Sequence, residues 1–393
     1  MSEMLEIKSC EVCGNRQLKK VLDLGRHPLC DDLVLIGSDR ICQEYPIEIL
    51  LCGKCLTAHQ RFQVPKEDLF PKHYHYRARM TPSVLTGMFG LVHCCAEKFG
   101  SLQDKLVLDI GCNDGSLLDF FKQQGARTVG VEPTDAALDS KHQTYQRFFE
   151  MGAALEILAT CGQPDFIVFT NVFAHIEKLS YLLAALKPLI HPKTVVVIEN
   201  HYMGAILDRD QFDTFYHEHP RTYSLQSFKF IAKVLGLNLR DVEFPSRYGG
   251  NIRVYLGRGE DFKGTPVDES RFADKFKVMA AHIEDWRKAT RQKIESLVSQ
   301  HGRLRAKAFP GRAAILIKLL GINENHISAV YEIKGSIKTG HCMPGTRIPI
   351  LPEAELYTQD LTQPILNLAW HLKQEVRDNL ASHGYTGIVI DIK

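Results

Sequence analysis

The strongest constraint on the fold is a segment in which an apolar strand pattern leads into a glycine-rich turn and then an amphipathic helix. Residues 106–115 read LVLDIGCNDG, and the helix pattern begins at Ser116. A second strand pattern, TVGVEP, starts at Thr128 and has Glu132 at its end. Strand, turn, helix and strand in this order predict the start of a doubly wound α/β domain.

The turn predicts a ligand that carries a ribose. Two of its glycines let the backbone approach a ligand closely, and Glu132 can accept hydrogen bonds from two ribose hydroxyls. The pattern G-x-N-x-G differs from the dinucleotide fingerprint G-x-G-x-x-G. It resembles motif I of S-adenosylmethionine-dependent methyltransferases, which implies that cofactor. The candidate cofactor-binding residues in this segment are Asp109, Gly111, Asn113, Gly115 and Glu132.

Two later segments continue the predicted α/β domain. PDFIVFTNVFAHIEKL, at 164–179, predicts the fourth strand and its loop, and KTVVVIEN, at 193–200, predicts the fifth strand. Ligands of such sheets lie over the carboxyl ends of the strands. Asn171 and His175 follow the fourth strand, so both are expected to face the cofactor cleft. For His175, a packed histidine at the start of a helix is the alternative interpretation.

Four of the 11 cysteines form two C-x-x-C pairs, Cys10 with Cys13 and Cys52 with Cys55. Each pair has a glycine close by, which favours the tight backbone of a zinc knuckle. Two such knuckles complete a tetrahedral thiolate site with no open position, so the sequence predicts a structural zinc ion. A redox pair or unrelated buried thiols are the alternatives. Cys30 and Cys42 are predicted to be spare, with the replacement of one of the four ligands by either as the alternative.

Charge and hydropathy exclude several classes of partner. With 48 basic and 46 acidic residues, the net charge is +2, so no electrostatic footprint for nucleic acid or for an anionic membrane is expected. No apolar run reaches the length of a membrane-spanning helix. The first residues, MSEMLEIKSC, lack the pattern of a signal peptide, which predicts a cytoplasmic protein.

Two clusters of histidine and tyrosine suggest proton transfer. Residues 215–223 read FYHEHPRTY, where Pro220 breaks any helix and the H-E-x-x-H spacing of zinc hydrolases is absent. A loop over the cofactor cleft therefore suits general base catalysis better than metal binding. A second cluster, KHYHYRAR at 72–79, is expected to reach the same cleft, with a capping linker as the alternative.

Taken together, these motifs resemble the sugar C-methyltransferases of deoxysugar biosynthesis, which methylate C-3 of nucleotide-linked 4-keto-6-deoxyhexoses. The resemblance spans nearly the whole chain and includes the four cysteines, LDIGCNDG, GVEP, NVFAHI, FYHEH, SRYGGNIRVY and MPGTRIPI. It implies that His219 is the base, with Tyr216, Glu218 and His175 beside it. It also implies a sugar-contacting tyrosine, either Tyr74 or Tyr76.

The resemblance implies a substrate-binding set as well: Arg247, Tyr248, Asn251, Lys338 and Arg347. Lys338 and Arg347 belong to a loop that is expected to hold a diphosphate, with a plain surface turn as the alternative. The segment at 308–322 departs from the family's glycine-rich turn, so the nucleotide is left open between dTDP and GDP. From 268 to about 308, apolar residues at helical spacing predict one long helix or two.

The sequence thus predicts an α/β protein of three domains: a zinc-binding domain at 1–70, a Rossmann-like methyltransferase domain at 71–265 and a C-terminal α/β nucleotide-sugar-binding domain at 266–393. The expected activity is C-methylation through an enolate, by a monomer. The alternatives are an O- or N-methyltransferase on a small metabolite and a non-enzymatic zinc-containing binding protein.

Overall fold

A computed structural model of the chain describes residues 4–69, 77–265 and 267–393, apart from the side chains of Glu67 and Tyr248. Tyr74 and Tyr76, the two candidates for the sugar-contacting tyrosine, lie outside these residues. Their role, and that of the Tyr248 side chain, stays a prediction.

Most of the described strands are short, and more than half of them belong to two mainly parallel sheets. In chain order they are β1 (Leu5–Glu6), β2 (Leu18–Pro28), β3 (Val34–Leu35), β4 (Glu44–Cys52), β5 (Ala58–Gln60), β6 (Phe62–Gln63), β7 (Leu106–Ile110), β8 (Arg127–Val131), β9 (Gln143–Tyr145), β10 (Phe166–Thr170), β11 (Val195–His201), β12 (Arg221–Thr222), β13 (Asn238–Glu243), β14 (Asn251–Gly257), β15 (Leu304–Lys307), β16 (Ile327–Glu332), β17 (His341–Cys342), β18 (Ile350–Pro352), β19 (Ile365–Asn367) and β20 (Val389–Asp391).

The helices alternate with the strands of these sheets. In chain order they are α1 (Lys66–Leu69), α2 (Pro82–Phe99), α3 (Ser116–Gln123), α4 (Met151–Cys161), α5 (Leu179–Leu186), α6 (Met203–Asp208), α7 (Leu225–Leu235), α8 (Phe272–His301), α9 (Ala313–Leu320), α10 (Glu353–Leu356) and α11 (Lys373–Ser382). The charged segment after 268 is therefore one helix, α8, not two.

The chain divides into two compact units. Unit 1 contains residues 1–19, 50–209 and 218–272, and unit 2 contains residues 20–49, 210–217 and 273–393. Two of the boundaries, after residues 19 and 49, fall within β2 and β4, and the others follow residues 209, 217 and 272. Within unit 1, β12 pairs with β5.

Unit 1 is built on a seven-stranded sheet of order β13-β14-β11-β10-β7-β8-β9. The strands from β11 to β9 are parallel, and β13 and β14 add an antiparallel pair at one edge. β7 is buried along its whole length, as an apolar run in a central parallel strand requires. Its Val107 side chain packs with apolar side chains of α2 and α3 in one core cluster. The predicted doubly wound α/β architecture is confirmed.

Unit 2 contains a second parallel sheet, of order β18-β16-β15-β19-β20. Its first strand, β15, lies in the centre, which makes this sheet doubly wound as well. α9 follows β15, and most of its side chains are buried. An α/β fold at the C-terminal end is thus confirmed too.

Candidate active site and zinc centre

The glycine-rich turn after β7 needs three residues in the left-handed region. Gly111, Asn113 and Gly115 have φ angles of 77°, 50° and 79°. Gly111 donates its N–H to the carbonyl of Val131 at 2.7 Å, which ties the turn to the end of β8. A Cβ on Gly111 would lie 2.5 Å from Cγ2 of Val172, so no larger residue fits there. The two predicted glycines therefore have the conformational role that the motif requires.

Glu132 follows β8 and is buried beside this turn. Its Oε2 accepts a hydrogen bond from the N–H of Asn113 at 3.1 Å, and its Oε1 accepts from the N–H and the hydroxyl of Thr134 at 2.9 and 2.7 Å. The carboxylate is thus held in one orientation by the turn. Each carboxylate oxygen can accept two hydrogen bonds, so Oε2 keeps the capacity to accept one from a ribose hydroxyl.

Asp109 has a buried side-chain oxygen, Oδ1, that accepts no hydrogen bond from the described residues. Its side chain is buried, and no partner of Oδ1 is found in the described part of the chain. Burial, with a smaller contribution from nearby Glu132, raises the pKa of Asp109 to about 8. An unsatisfied buried acceptor is costly unless a ligand supplies a donor. The turn therefore fits S-adenosylmethionine, whose amino and ribose groups carry such donors.

The turn is also held by the segment that precedes α2. The N–H of Ala78 donates to Oδ1 of Asn113 at 3.0 Å, and the backbone N–H of Arg79 donates to Oδ2 of Asp114 at 3.0 Å. The guanidinium of Arg79 contacts the same carboxylate at 2.9 Å. The Asn113 side chain is thus engaged by the protein itself.

Asn171 and Asn251, predicted for the cofactor and the substrate respectively, contact each other directly. Nδ2 of Asn251 donates to Oδ1 of Asn171 at 3.2 Å and to Oε1 of Glu199 at 2.9 Å. Arg247 reaches the same Glu199 oxygen at 3.2 Å. Three of the predicted residues therefore converge on a fully buried glutamate at the carboxyl end of β11.

Glu199 and Arg253 were not among the predicted residues. Nε of Arg253 donates to Oε2 of Glu199 at 2.7 Å, and Nη1 contacts Glu243 at 2.9 Å. The Glu199 carboxylate raises the pKa of Arg253 further above its ordinary value, against the effect of burial. The ion pair lies across β11 and β14, so only the pairing of Glu199 with Arg253 in the sheet could have revealed it.

Three imidazoles meet at the carboxyl ends of β10 and β11. The ring of His219 lies edge-on to that of His175, with 4.7 Å between centroids, and 5.5 Å from that of His201. Burial lowers the pKa of His175 to about 4, and a hydrogen bond to the backbone of Glu218 only partly opposes this. His175 is therefore neutral at pH 7. His201 was missed because it is the last residue of β11, one position beyond the predicted strand.

The other predicted members of the FYHEH motif have separate surroundings. Glu218 is buried in unit 1 with His219. Tyr216 belongs to unit 2, as does His217, whose ring donates to the carbonyl of Tyr45 at 3.2 Å. Burial lowers the pKa of His217 to about 4. The motif therefore supplies one imidazole to the three-ring cluster, that of His219.

The four predicted zinc ligands, Cys10, Cys13, Cys52 and Cys55, form one cluster in unit 1. Their sulfurs all lie within 4.8 Å of one another, with 3.3 Å between Cys10 and Cys55 and 3.6 Å between Cys13 and Cys52. A tetrahedral Zn–S distance of about 2.3 Å requires sulfurs about 3.8 Å apart. The donor set therefore fits one zinc ion, and unrelated buried thiols are excluded.

The two knuckles of this cluster differ in one detail. The first has Gly14 in the left-handed region at φ 71°, as expected. In the second, Leu56 occupies that region at φ 54°, and Gly53 does not. The N–H groups of Gly14 and Leu56 donate to the carbonyls of Cys10 and Cys52. Leu56 thus takes the conformation for which we expected a glycine.

Lys338 and Arg347 lie in unit 2 and already have partners in the protein. Nζ of Lys338 donates to the carbonyl of Phe309 at 2.9 Å. Nη1 of Arg347 donates to the carbonyl of Ser38 at 2.6 Å, and its N–H donates to Glu324 at 3.1 Å. A carbonyl oxygen carries no net charge, so these side-chain contacts do not neutralise the positive charges of Lys338 and Arg347. Their role in binding a diphosphate stays a prediction.

Three family models match successive parts of this chain. A zinc binding domain matches residues 10–70, a methyltransferase domain matches residues 85–242, and a C-methyltransferase C-terminal domain matches residues 247–390. The expectation of a C-methyltransferase with S-adenosylmethionine and zinc as cofactors is confirmed by these matches, together with the cysteine cluster.

A curated relative is similar over most of both chains. C-methyltransferase NovU of Streptomyces niveus is 27% identical over 389 residues, which cover 95% of this chain and 92% of that protein.

Two solved structures are less similar to this chain than the curated relative is. Magnesium protoporphyrin IX methyltransferase from Synechocystis PCC 6803, with bound SAM, is 14% identical with a TM-score of 0.34, over 44% of this chain and 79% of that chain. The PH0226 protein from Pyrococcus horikoshii OT3 is 11% identical with a TM-score of 0.35, over 49% and 98%.

Among the described residues, the structure has no helix long and apolar enough to span a membrane. The cytoplasmic location and the monomeric state stay predictions.

Proposed function

The protein is an S-adenosylmethionine-dependent C-methyltransferase, and from that premise we propose that it methylates C-3 of a nucleotide-diphosphate-linked 4-keto-6-deoxyhexose. The observation that carries this proposal is the cluster of His175, His201 and His219 at the carboxyl ends of two central strands. Methyl transfer to carbon requires a carbanion, and a base must generate it.

A 4-keto sugar suits such a base. The ketone acidifies the hydrogen on C-3, because the charge left by its removal spreads onto the C-4 oxygen as an enolate. In our proposal His219 removes that proton and becomes an imidazolium. His175 is neutral at pH 7, so it does not repel the charge that develops on His219.

The enolate oxygen needs a hydrogen-bond donor while it carries charge. We assign this role to a second imidazole of the cluster or to a tyrosine hydroxyl, with Tyr216, Tyr74 and Tyr76 as the candidates. When bound, S-adenosylmethionine supplies the electrophilic methyl group, and the turn at 111–115 with Asp109 and Glu132 would hold it. The four-cysteine zinc site has no open position and serves structure.

The nucleotide is either thymidine or guanosine diphosphate in this proposal. Arg247, Tyr248, Asn251, Lys338 and Arg347 are its proposed substrate-binding residues. The division into a zinc domain at 1–70, a methyltransferase domain at 71–265 and a nucleotide-sugar domain at 266–393 is proposed with it.

An exchange experiment tests the reaction class. The protein is incubated in deuterated buffer with S-adenosylhomocysteine and either the dTDP- or the GDP-linked 4-keto-6-deoxyhexose, and the C-3 proton is followed by NMR. We expect enzyme-dependent loss of that proton signal, and C-3 methylation when S-adenosylmethionine is added. Methylation of oxygen or nitrogen without exchange at C-3 would refute the proposal.

The same assay tests the base. His219→Gln should lower the exchange rate by about 10²–10⁴-fold, the usual contribution of a general base, with an unchanged affinity for S-adenosylhomocysteine. The matched control is His93→Gln, which replaces an exposed histidine of α2 that contacts Glu97 and stacks on Phe89. Near-normal exchange by the His219 variant would show that another group is the base.

A further inference from the structure

We infer that Arg221 is a positioning residue that fixes the rings of His175 and His219 to the zinc cluster through Glu11. The inference rests on the proposed function, in which His219 is the base. Arg221 lies in β12, two residues after His219, and its side chain is completely buried in unit 1.

The guanidinium of Arg221 donates to two segments that are distant in the sequence and to a tyrosine two residues further along the chain. Nη1 contacts Oε2 of Glu11 at 2.6 Å and the carbonyl of Glu177 at 3.2 Å, and Nε donates to the hydroxyl of Tyr223 at 3.0 Å. Glu11 lies between two of the zinc-binding cysteines. The planar, forked donor set of arginine suits such a junction, and a single ammonium group does not.

Two of these contacts hold the loop that carries His175. Arg221 binds the carbonyl of Glu177, just after that histidine, and the hydroxyl of Tyr223 lies 3.5 Å from the carbonyl of Phe173, just before it. His219 is joined to Arg221 through Pro220 alone. The same short strand thus restrains the two rings whose centroids lie 4.7 Å apart.

The backbone of Arg221 and its neighbours also connect to the zinc cluster. In the sheet, Arg221 pairs with His59 of β5, and the N–H of Gln60 donates to the carbonyl of Pro220 at 2.9 Å. Nε2 of His59 lies 3.3 Å from the Cys10 sulfur, and its Nδ1 lies 3.4 Å from Glu11. Groups around metal ligands orient those ligands and are themselves oriented by them.

A further row of hydrogen bonds joins the two regions after β12. The hydroxyls of Ser224 and Ser227 both donate to the carbonyl of Cys55, at 3.0 and 3.3 Å. Thr57 contacts the Ser227 hydroxyl at 2.8 Å. The backbone after the FYHEH motif is therefore anchored to both knuckles. The pair of the fully buried Arg221 with the partly buried Glu11 is the contact that also reaches the His175 loop.

Buried ion pairs are poor contributors to stability, because desolvation of the two charges offsets their attraction. An apolar side chain of similar volume would fill the space around Arg221, but it would leave Glu11, Glu177 and Tyr223 unconnected. The geometry therefore points to a role for Arg221 in fixing the orientation of the His175 and His219 rings and the distance between them. It also follows that loss of the metal, by releasing the knuckle around Glu11, disturbs the histidine cluster.

The test compares Arg221→Lys, Arg221→Met and Glu11→Gln with the control Arg61→Met, which breaks a half-exposed pair with Glu6 in the same unit. We measure kcat and KM for the exchange reaction, zinc content, and S-adenosylhomocysteine affinity. We also record ¹H–¹³C spectra of the histidine rings without substrate, for the variants and for metal-stripped wild type.

We expect the variants at 221 and 11 to lower kcat by about 10–100-fold, with KM and S-adenosylhomocysteine affinity nearly unchanged. We also expect shifted ring signals for His175 and His219, reproduced by metal removal and absent in the Arg61 control. Glu11→Gln keeps the inference testable if Arg221→Met does not fold.

Unchanged ring signals for both histidines would overturn the inference. So would a fall in kcat that only follows a matching loss of folded protein or of cofactor affinity. Failure of the wild type to exchange C-3 with either nucleotide would instead refute the proposed function, and the substrate-free spectra would still decide the role of Arg221.

Discussion

The parallel strands of the two main sheets have the same order around their first strand, but the charged residues near the turn that follows that strand differ. In unit 1 the turn after β7 is bordered by acidic groups, Asp109, Asp114 and Glu132. In unit 2 the strand β15 ends in Lys307, which pairs with Glu353 at 2.6 Å, and Arg312, which pairs with Asp213 at 3.2 Å, precedes α9. One topology therefore presents two chemistries, and the turn residues, not the fold, indicate which ligand class each sheet suits.

The acidic character of the first turn gives the largest expected effect, which appears in the pH dependence of stability. The pKa of Asp109 is about 8 in the folded protein, against about 3.9 in an unfolded chain. Ionisation therefore favours unfolding. The stability that this carboxyl contributes is complete below about pH 4 and is lost as the pH rises to about 8, by up to about 1.4 kcal/mol per pH unit.

Asp109→Asn should remove this dependence, because the amide resembles the neutral carboxyl in shape. Urea unfolding of the ligand-free protein at pH 5, 6, 7 and 8 measures the effect, with Asp165→Asn, a carboxylate at the opposite end of β7, as the control. If the free energy of unfolding of the Asp109 variant still falls with rising pH, the ionisation of Asp109 does not distinguish the first turn from the turn of the second sheet.

The second-largest expected effect is a difference in the loss of stability when a glycine of each turn is replaced by alanine. Gly111→Ala places a Cβ 2.5 Å from Val172 at φ 77°, and should lower the free energy of unfolding by about 2–4 kcal/mol. Gly311→Ala has no left-handed strain, and its Cβ would lie 3.2 Å from Asp31, so we expect less than about 1 kcal/mol. Equal losses in urea unfolding would show that the two turns are equivalent.

The smallest effect concerns the basic residues of unit 2. If Lys338 binds the diphosphate, Lys338→Gln should weaken dTDP or GDP binding about 10-fold, since one hydrogen bond to a charged group is lost. Titration calorimetry measures this, with the exposed Lys334→Gln as the control. Affinity for S-adenosylhomocysteine should not change. Equal weakening by both variants would indicate a diffuse charge effect in place of a site.

The local parts of the fold could be read from the sequence. Strand β7 has the predicted bounds Leu106–Ile110, and α3 begins at the predicted Ser116. Both follow from periodicity and from glycine, which act over a few residues. The four-cysteine cluster was predictable for the same reason, because each half of it is a local motif.

The long-range parts could not be read in this way. Glu199 and Arg221 lie in segments that the sequence analysis singled out without giving them a role, and His201 lies just beyond one. The contacts of these residues arise from sheet pairing with residues far away in the chain. The second knuckle shows the limit even at short range, since Leu56 takes the left-handed position where a glycine was expected. The roles of the catalytic and substrate-binding residues stay predictions.

The contact between Thr57 and Ser227 spans 170 residues of sequence, and it bears on the order in which the ribosome delivers the parts of this protein. The zinc-binding cysteines emerge long before the segment that covers them. Until residues 221–227 are synthesised, Glu11 lacks its partner Arg221, and the Cys55 carbonyl lacks the hydroxyls of Ser224 and Ser227. The zinc-binding segment of the nascent chain therefore lacks these hydrogen bonds until late in synthesis. Contacts between residues so far apart in the sequence slow the final folding step.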